Sequence, residues 1–174
     1  MTIRKSATAM AVALHICAIV LAIGTITLAA GGEGKPAPSI ALPDKSGTKV
    51  SLESFRGHVV LVDIWASWCP PCKAAFPAYD NLYRTYRDRG FEVLAVNVDE
   101  KRSAAESFLN GRDFIVRVLF DPEGTAPRGF NLRGMPTSYL VDKKGTIRFS
   151  HEGFTDKLLP QYKREIEQLI AEVP

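Results

Sequence analysis

The chain has 174 residues, 46% of them apolar and 24% charged, with a formal net charge of +3. That length fits one compact domain with extensions, and the even composition excludes collagen-like, coiled-coil and mainly disordered chains. Arg4 and Lys5 supply two of the 22 basic residues, which leaves 20 against 19 acidic residues beyond the N-terminus. A domain so close to neutral has no electrostatic footprint for nucleic acid, and Arg84, Arg87 and Arg89 read as a solvated helix face.

Arg4 and Lys5 precede an uncharged stretch from Ala7 to Ala30, with no acidic residue before Glu33. As a helix this stretch would reach about 36 Å, enough to cross roughly 30 Å of hydrocarbon. It is longer than the apolar region of a signal peptide, about 7 to 15 residues. Residues 1–30 therefore read as a membrane anchor, with the positive end inside and the remainder exported. Cleavage as a signal peptide stays open, because Thr27-Leu28-Ala29 has a small-x-small form. His15 interrupts the stretch. Cys17 reads as an apolar membrane residue, since Ile16 is not the small residue that a lipoprotein signal needs. Residues 31–37 read as a flexible Gly- and Pro-containing linker. Every Trp, Tyr and Phe follows it, so the folded domain is expected over residues 38–174.

Within the domain, Ile40 to Leu42 and Lys49 to Ser51 flank Asp44-Lys45-Ser46-Gly47, a β-hairpin pattern. Val59 to Trp65 is a mostly apolar, β-branched run of buried-strand length. A helix follows, with Ala75, Ala78, Tyr79, Leu82, Tyr83 and Tyr86 on one face and a kink expected at Pro77. Phe91 to Val98 reads as a second buried strand. Ser103-Ala104-Ala105-Glu106 matches a capping box that opens a short helix, with Gly111 to close it. Arg117 to Phe120 reads as a strand and residues 121–124 as a turn. Ser138 to Val141 and Thr146 to Ser150 form an antiparallel hairpin around residues 142–145. Leu158, Leu159, Tyr162, Ile166, Leu169 and Ile170 line a final helix. This order predicts an α/β domain with parallel pairing early and an antiparallel hairpin late.

Trp68-Cys69-Pro70-Pro71-Cys72 carries the chemistry. Two cysteines three apart at a helix start can close a disulfide across one turn. Cys69 falls at the helix N-terminus, where free N–H groups and the helix dipole favour a thiolate, so it reads as the attacking sulfur. Cys72, one turn further in, suits resolution of the mixed disulfide. A zinc site lacks its second ligand pair: outside the N-terminal stretch the histidines are His58 and His151, without paired spacing. A purely structural bridge this short adds little stability. A redox-active pair is the reading that fits a Cys-x-x-Cys inside a βαβ pattern.

Residues 62–72 resemble the active-site segment of thioredoxin-fold proteins. Leu52-Glu53-Ser54-Phe55-Arg56-Gly57, Ala95-Val96-Asn97-Val98-Asp99 and Gly134-Met135-Pro136-Thr137-Ser138-Tyr139-Leu140-Val141-Asp142 narrow the resemblance. In order, they are similar to the TlpA/ResA/CcmG group of exported, membrane-anchored thiol–disulfide oxidoreductases. The resemblance implies a thioredoxin fold with an N-terminal β-hairpin, an inserted αβ unit and a central mixed sheet flanked by helices. It implies that Pro136 is cis and faces the cysteines, and that the Met135 backbone binds an extended substrate segment. Trp68, Pro70, Pro71 and Thr137 join that substrate-binding surface. Asp63 stands where thioredoxin carries a buried Asp, and is expected to exchange a proton with Cys72. The chain departs from the group at Ala75, where many members carry Glu.

The expected activity is reduction of target-protein disulfides outside the cytoplasm. Electrons would come from a membrane thiol-transfer protein, and the targets would be of the cytochrome c maturation or copper-oxidase assembly type. The redox-active disulfide is the only cofactor expected, with no metal. The alternatives are a dithiol oxidase of the same fold, a copper metallochaperone using His151 as third ligand, and a thiol peroxidase. The last wants a Pro-x-x-x-Thr run before its cysteine, which Ala66-Ser67-Trp68 does not supply.

Overall fold

A computed structural model describes residues 32–173. The N-terminal stretch, with His15, Cys17 and the choice between anchor and signal peptide, lies outside the described residues. Among those described, no helix is long and apolar enough to cross a membrane.

A hairpin opens the domain, β1 (Ala41–Pro43) with β2 (Lys49–Ser51). Its turn is closed by Asp44, whose Oδ1 accepts from the backbone N–H of Ser46 and Thr48. The central sheet has the order β5-β4-β3-β6-β7, from β3 (Val59–Trp65), β4 (Phe91–Asn97), β5 (Arg117–Phe120), β6 (Thr137–Val141) and β7 (Ile147–Glu152). The first three strands pair in parallel; β6 and β7 run antiparallel. The helices are α1 (Pro70–Tyr86), α2 (Arg102–Leu109), α3 (Thr125–Gly129) and α4 (Leu159–Ala171).

Every residue of β3 is buried, as expected for a central strand covered on both faces. Val59, Leu61 and Trp65 pack with Phe76, Tyr162 and Ile166 on the helical side. Val60, Val62 and Ile64 pack with Leu42, Leu52 and Phe130 on the other, where the N-terminal hairpin and α3 lie. Asp63 belongs by alternation to the helical side. The helix α1 runs on through Pro77, which is exposed, while Ala75, Phe76, Tyr79, Leu82 and Tyr86 are buried.

Two expectations are corrected and one is extended. The capping box does not form: α2 starts at Arg102, with Lys101 at its N-cap and no side-chain cap. Arg102 is drawn into the helix by its bond to Glu106 (2.7 Å) and by stacking over Phe120 (4.3 Å). The turn at 121–124 forms and leads on into α3, whose first N–H groups, those of Thr125 and Ala126, donate to the Asp121 carboxylate. The stretch expected to be a flexible linker is tied down from residue 33. Gly34 N–H donates to Ile147 O, Ile147 N–H to Lys35 O and Ala37 N–H to Gly145 O, while Glu33 accepts from Ser150 N–H. Gly34 turns the chain onto β7 at φ +79°, a conformation L side chains rarely adopt.

The C-terminal end of α4 is clamped to the β6–β7 turn. Lys143 Nζ donates to the carbonyls of Ile170 and Glu172, and Arg148 forms a forked pair with the Glu172 carboxylate. A cation at a helix C-terminus satisfies carbonyls that have no partner within the helix.

Candidate active site

The end of β3 passes through Ala66-Ser67-Trp68 straight into α1. That short loop is held by Asp99, just beyond β4 and only 3% exposed. Its carboxylate accepts from Ser67 N–H (3.0 Å), Ser67 Oγ (3.1 Å) and Asn97 Nδ2 (2.8 Å). Sequence reasoning assigned Asn97 and Asp99 no role of their own. Their signal was the appearance of two polar residues at the end of an apolar strand.

Cys69 is the N-cap of α1. The next two residues are prolines, so the first helical N–H available to its sulfur is that of Cys72, which donates to Cys69 Sγ at 3.4 Å. The two sulfurs form a disulfide of 2.08 Å. Cys69 is 5% exposed and Cys72 wholly buried, which orders them as outer and inner sulfur. Trp68 stands out at 64% exposure, and Pro70 and Pro71 are exposed beside it.

The Met135–Pro136 peptide is cis. Pro136 is buried, and its carbonyl accepts from Gly153 N–H at 2.8 Å. Met135 is half-buried and packs against the apolar cluster that contains both cysteines. Thr137 opens β6, its hydroxyl donating to Gly134 O. The structure thus gathers the Cys-x-x-Cys turn and the cis-proline segment at one end of the sheet.

Asp63 is fully buried, and neither carboxylate oxygen has a hydrogen-bond partner among the described residues. Loss of hydration pushes its pKa up from 3.8 to about 8. Ala75, fully buried on the same side, leaves no acid at the position where many of the resembling proteins have one. In register with Asp63 stands Ser138 of β6, and in register with Ser138 stands His151 of β7. Ser138 Oγ lies 2.6 Å from the Tyr162 hydroxyl, which lies 3.1 Å from the Tyr79 hydroxyl. His151 Nε2 lies 2.7 Å from Glu165, and its ring packs 4.4 Å from that of Tyr162. Burial pushes the Tyr162 pKa up to about 12, so this phenol stays protonated.

Periodicity alone had placed Tyr79 and Tyr162 on apolar helix faces. Their hydroxyls were the missed signal, because a buried tyrosine needs a polar partner. Among the described residues, no three His, Cys, Asp or Glu side chains are grouped to hold a metal ion.

A Cys-x-x-Cys disulfide at the start of the helix after the central strand, with a cis-proline segment packed against it, defines a thiol–disulfide oxidoreductase of the thioredoxin fold. The family model described as AhpC/TSA matches residues 34–150, and the chain belongs to that family. It is 30% identical over 140 residues to the thiol–disulfide oxidoreductase ResA of Bacillus thuringiensis subsp. konkukian, spanning 80% of this chain and 78% of that protein. It is 33% identical over 138 residues to the thioredoxin-like protein YneN of Bacillus subtilis, spanning 78% and 80%. Among solved structures, a putative thiol:disulfide interchange protein DsbE from Chlorobium tepidum superposes with a TM-score of 0.76. It is 38% identical, over 82% of this chain and 99% of that one.

Proposed function

We propose that this chain is an extracytoplasmic protein-disulfide reductase, held at the membrane by residues 7–30. Cys69 attacks a target disulfide, and the target's first sulfur leaves as a thiolate. Cys72 then gives its proton to Asp63 and attacks Cys69, which frees the second target sulfur and leaves the Cys69–Cys72 disulfide. A membrane thiol-transfer protein restores the dithiol, since the compartment itself is oxidising. Cytochrome c haem-site thiols and the copper-site cysteines of an oxidase assembly protein are the target classes that the resemblance suggests.

The observation that carries the direction is the donor missing at Cys69. A strong dithiol oxidant stabilises its thiolate and thereby its reduced form. Here Pro71 withholds the second helical N–H from the sulfur, and the third, that of Cys72, is the one that reaches it. A less stabilised thiolate makes the couple more reducing. The reduction potential of the Cys69/Cys72 couple, equilibrated against glutathione or dithiothreitol buffers, tests this. A value near about −270 mV is expected; one near about −120 mV would make the protein a dithiol oxidase instead.

A further inference from the structure

The hydroxyl cluster behind the disulfide has one hydrogen more than it uses. Ser138, Tyr162 and Tyr79 carry three O–H groups, and these serve two contacts, at 2.6 and 3.1 Å. Asp63 has the complementary need, with two buried oxygens and no donor. Ser138 and Asp63 are direct cross-strand neighbours on the helical side of the sheet, a placement that brings Cβ atoms to roughly 4.5–5.5 Å. Burial raises the pKa of both tyrosines, and the Asp63 charge adds to the shift of each.

Tyr79 of α1 and Tyr162 of α4 interact with the Asp63 charge, Ser138 of β6 and the apolar Ala95 of β4 are its register neighbours, and Cys72 is buried in the cluster on the same side of the sheet. Behind Tyr162 the His151–Glu165 pair holds its ring in place. An ionised carboxylate in such a layer depends on whatever O–H can turn towards it.

We propose that Tyr162 is a positioning residue for the proton acceptor: with Ser138 and Tyr79 it supplies the hydrogen bond that favours the ionised form of Asp63, the form that takes the Cys72 proton. This rests on Asp63 being that acceptor. The Cys72 S–H proton passes to the Asp63 carboxylate, and the freed sulfur pair forms the bond to Cys69 Sγ. The bond from Cys69 to the target sulfur breaks, and its electron pair leaves on the target thiolate.

The test uses the full-length chain carrying Cys17→Ser, so that only the pair reports. Reduced protein is mixed with dithionitrobenzoate, and the second release of thionitrobenzoate, which reports attack by Cys72, is timed against pH. Tyr162→Phe is expected to move the inflection of that rate to higher pH, with the rate below it falling about tenfold and the alkaline plateau kept. Ser138→Ala is expected to shift it the same way by less, and carries the test if Tyr162→Phe does not fold. Asp63→Asn is expected to abolish the inflection. If Asp63→Asn abolishes it while both hydroxyl variants keep the parent's inflection, or slow the rate equally at every pH, the positioning role is wrong and the acceptor stands. If Asp63→Asn leaves the inflection in place, the acceptor assignment fails and the positioning role with it.

Discussion

At Cys69 the local backbone decides the chemistry. An N-cap side chain takes its hydrogen bond from the second or third helical N–H, and proline at the second position leaves only the third. Pro71→Ala returns that donor without enlarging the side chain. The Cys69 thiol should then ionise at lower pH, by roughly one unit, and the couple should become more oxidising. Thiolate absorbance followed against pH checks this, and an unmoved titration would remove the proline argument for a reductase. The cysteines and the prolines between them could be named from the sequence, because their spacing is itself the signal, whereas the cis-proline segment was named through resemblance. The depth of Asp63 could be named only through resemblance. Ser138, Tyr162 and Asp99 could not be given roles at all, since each acts through a partner 24 or more residues away.

Strands and long helices followed their apolar periodicity closely, and the departures came where a tertiary contact overrode a local signal. The start of α2 moved because Arg102 has partners on β5 and at Lys45 O. Asp80 shows the same effect inside a helix. It lies on the buried side of α1, where its Oδ1 accepts from Ile115 N–H (2.6 Å) and Val116 N–H (3.1 Å), and its Oδ2 from Arg84 Nε (2.7 Å). That carboxylate pins the approach to β5 onto α1. Asp80→Ala would leave two backbone donors without their partner and is expected to cost about 2–4 kcal/mol. Urea unfolding measures it; a loss below about 0.5 kcal/mol would mean the segment is held by its apolar contacts alone.

Across the whole molecule, Asp63 couples the redox site to global stability. Its pKa is about 8 in the folded chain against an ordinary value of 3.8, so the folded state binds the proton more tightly. Stability is therefore undiminished below pH 3.8, falls as pH rises and levels off above about 8. The steepest part amounts to about 1.4 kcal/mol per pH unit for one proton. Asp63→Asn removes this term, so the oxidised variant should gain on its parent steadily between those limits. Denaturation curves for the two proteins across that range test it, and a constant difference would show that Asp63 ionises normally.

What the sequence determined by itself is whatever repeats at short range or depends on a few adjacent residues: two buried strands, the long helices, the late hairpin and the Cys-x-x-Cys turn at a helix start. Periodicity and backbone chemistry act within a few residues, so they can be read along the chain. Only the tertiary structure decided which polar groups meet behind the disulfide. The sheet register sets Asp63, Ser138 and His151 in one row across three strands, and α1 and α4 lower two tyrosines onto it. That meeting depends on strand order and helix docking, which bring together residues far apart in the chain and leave no local trace in it.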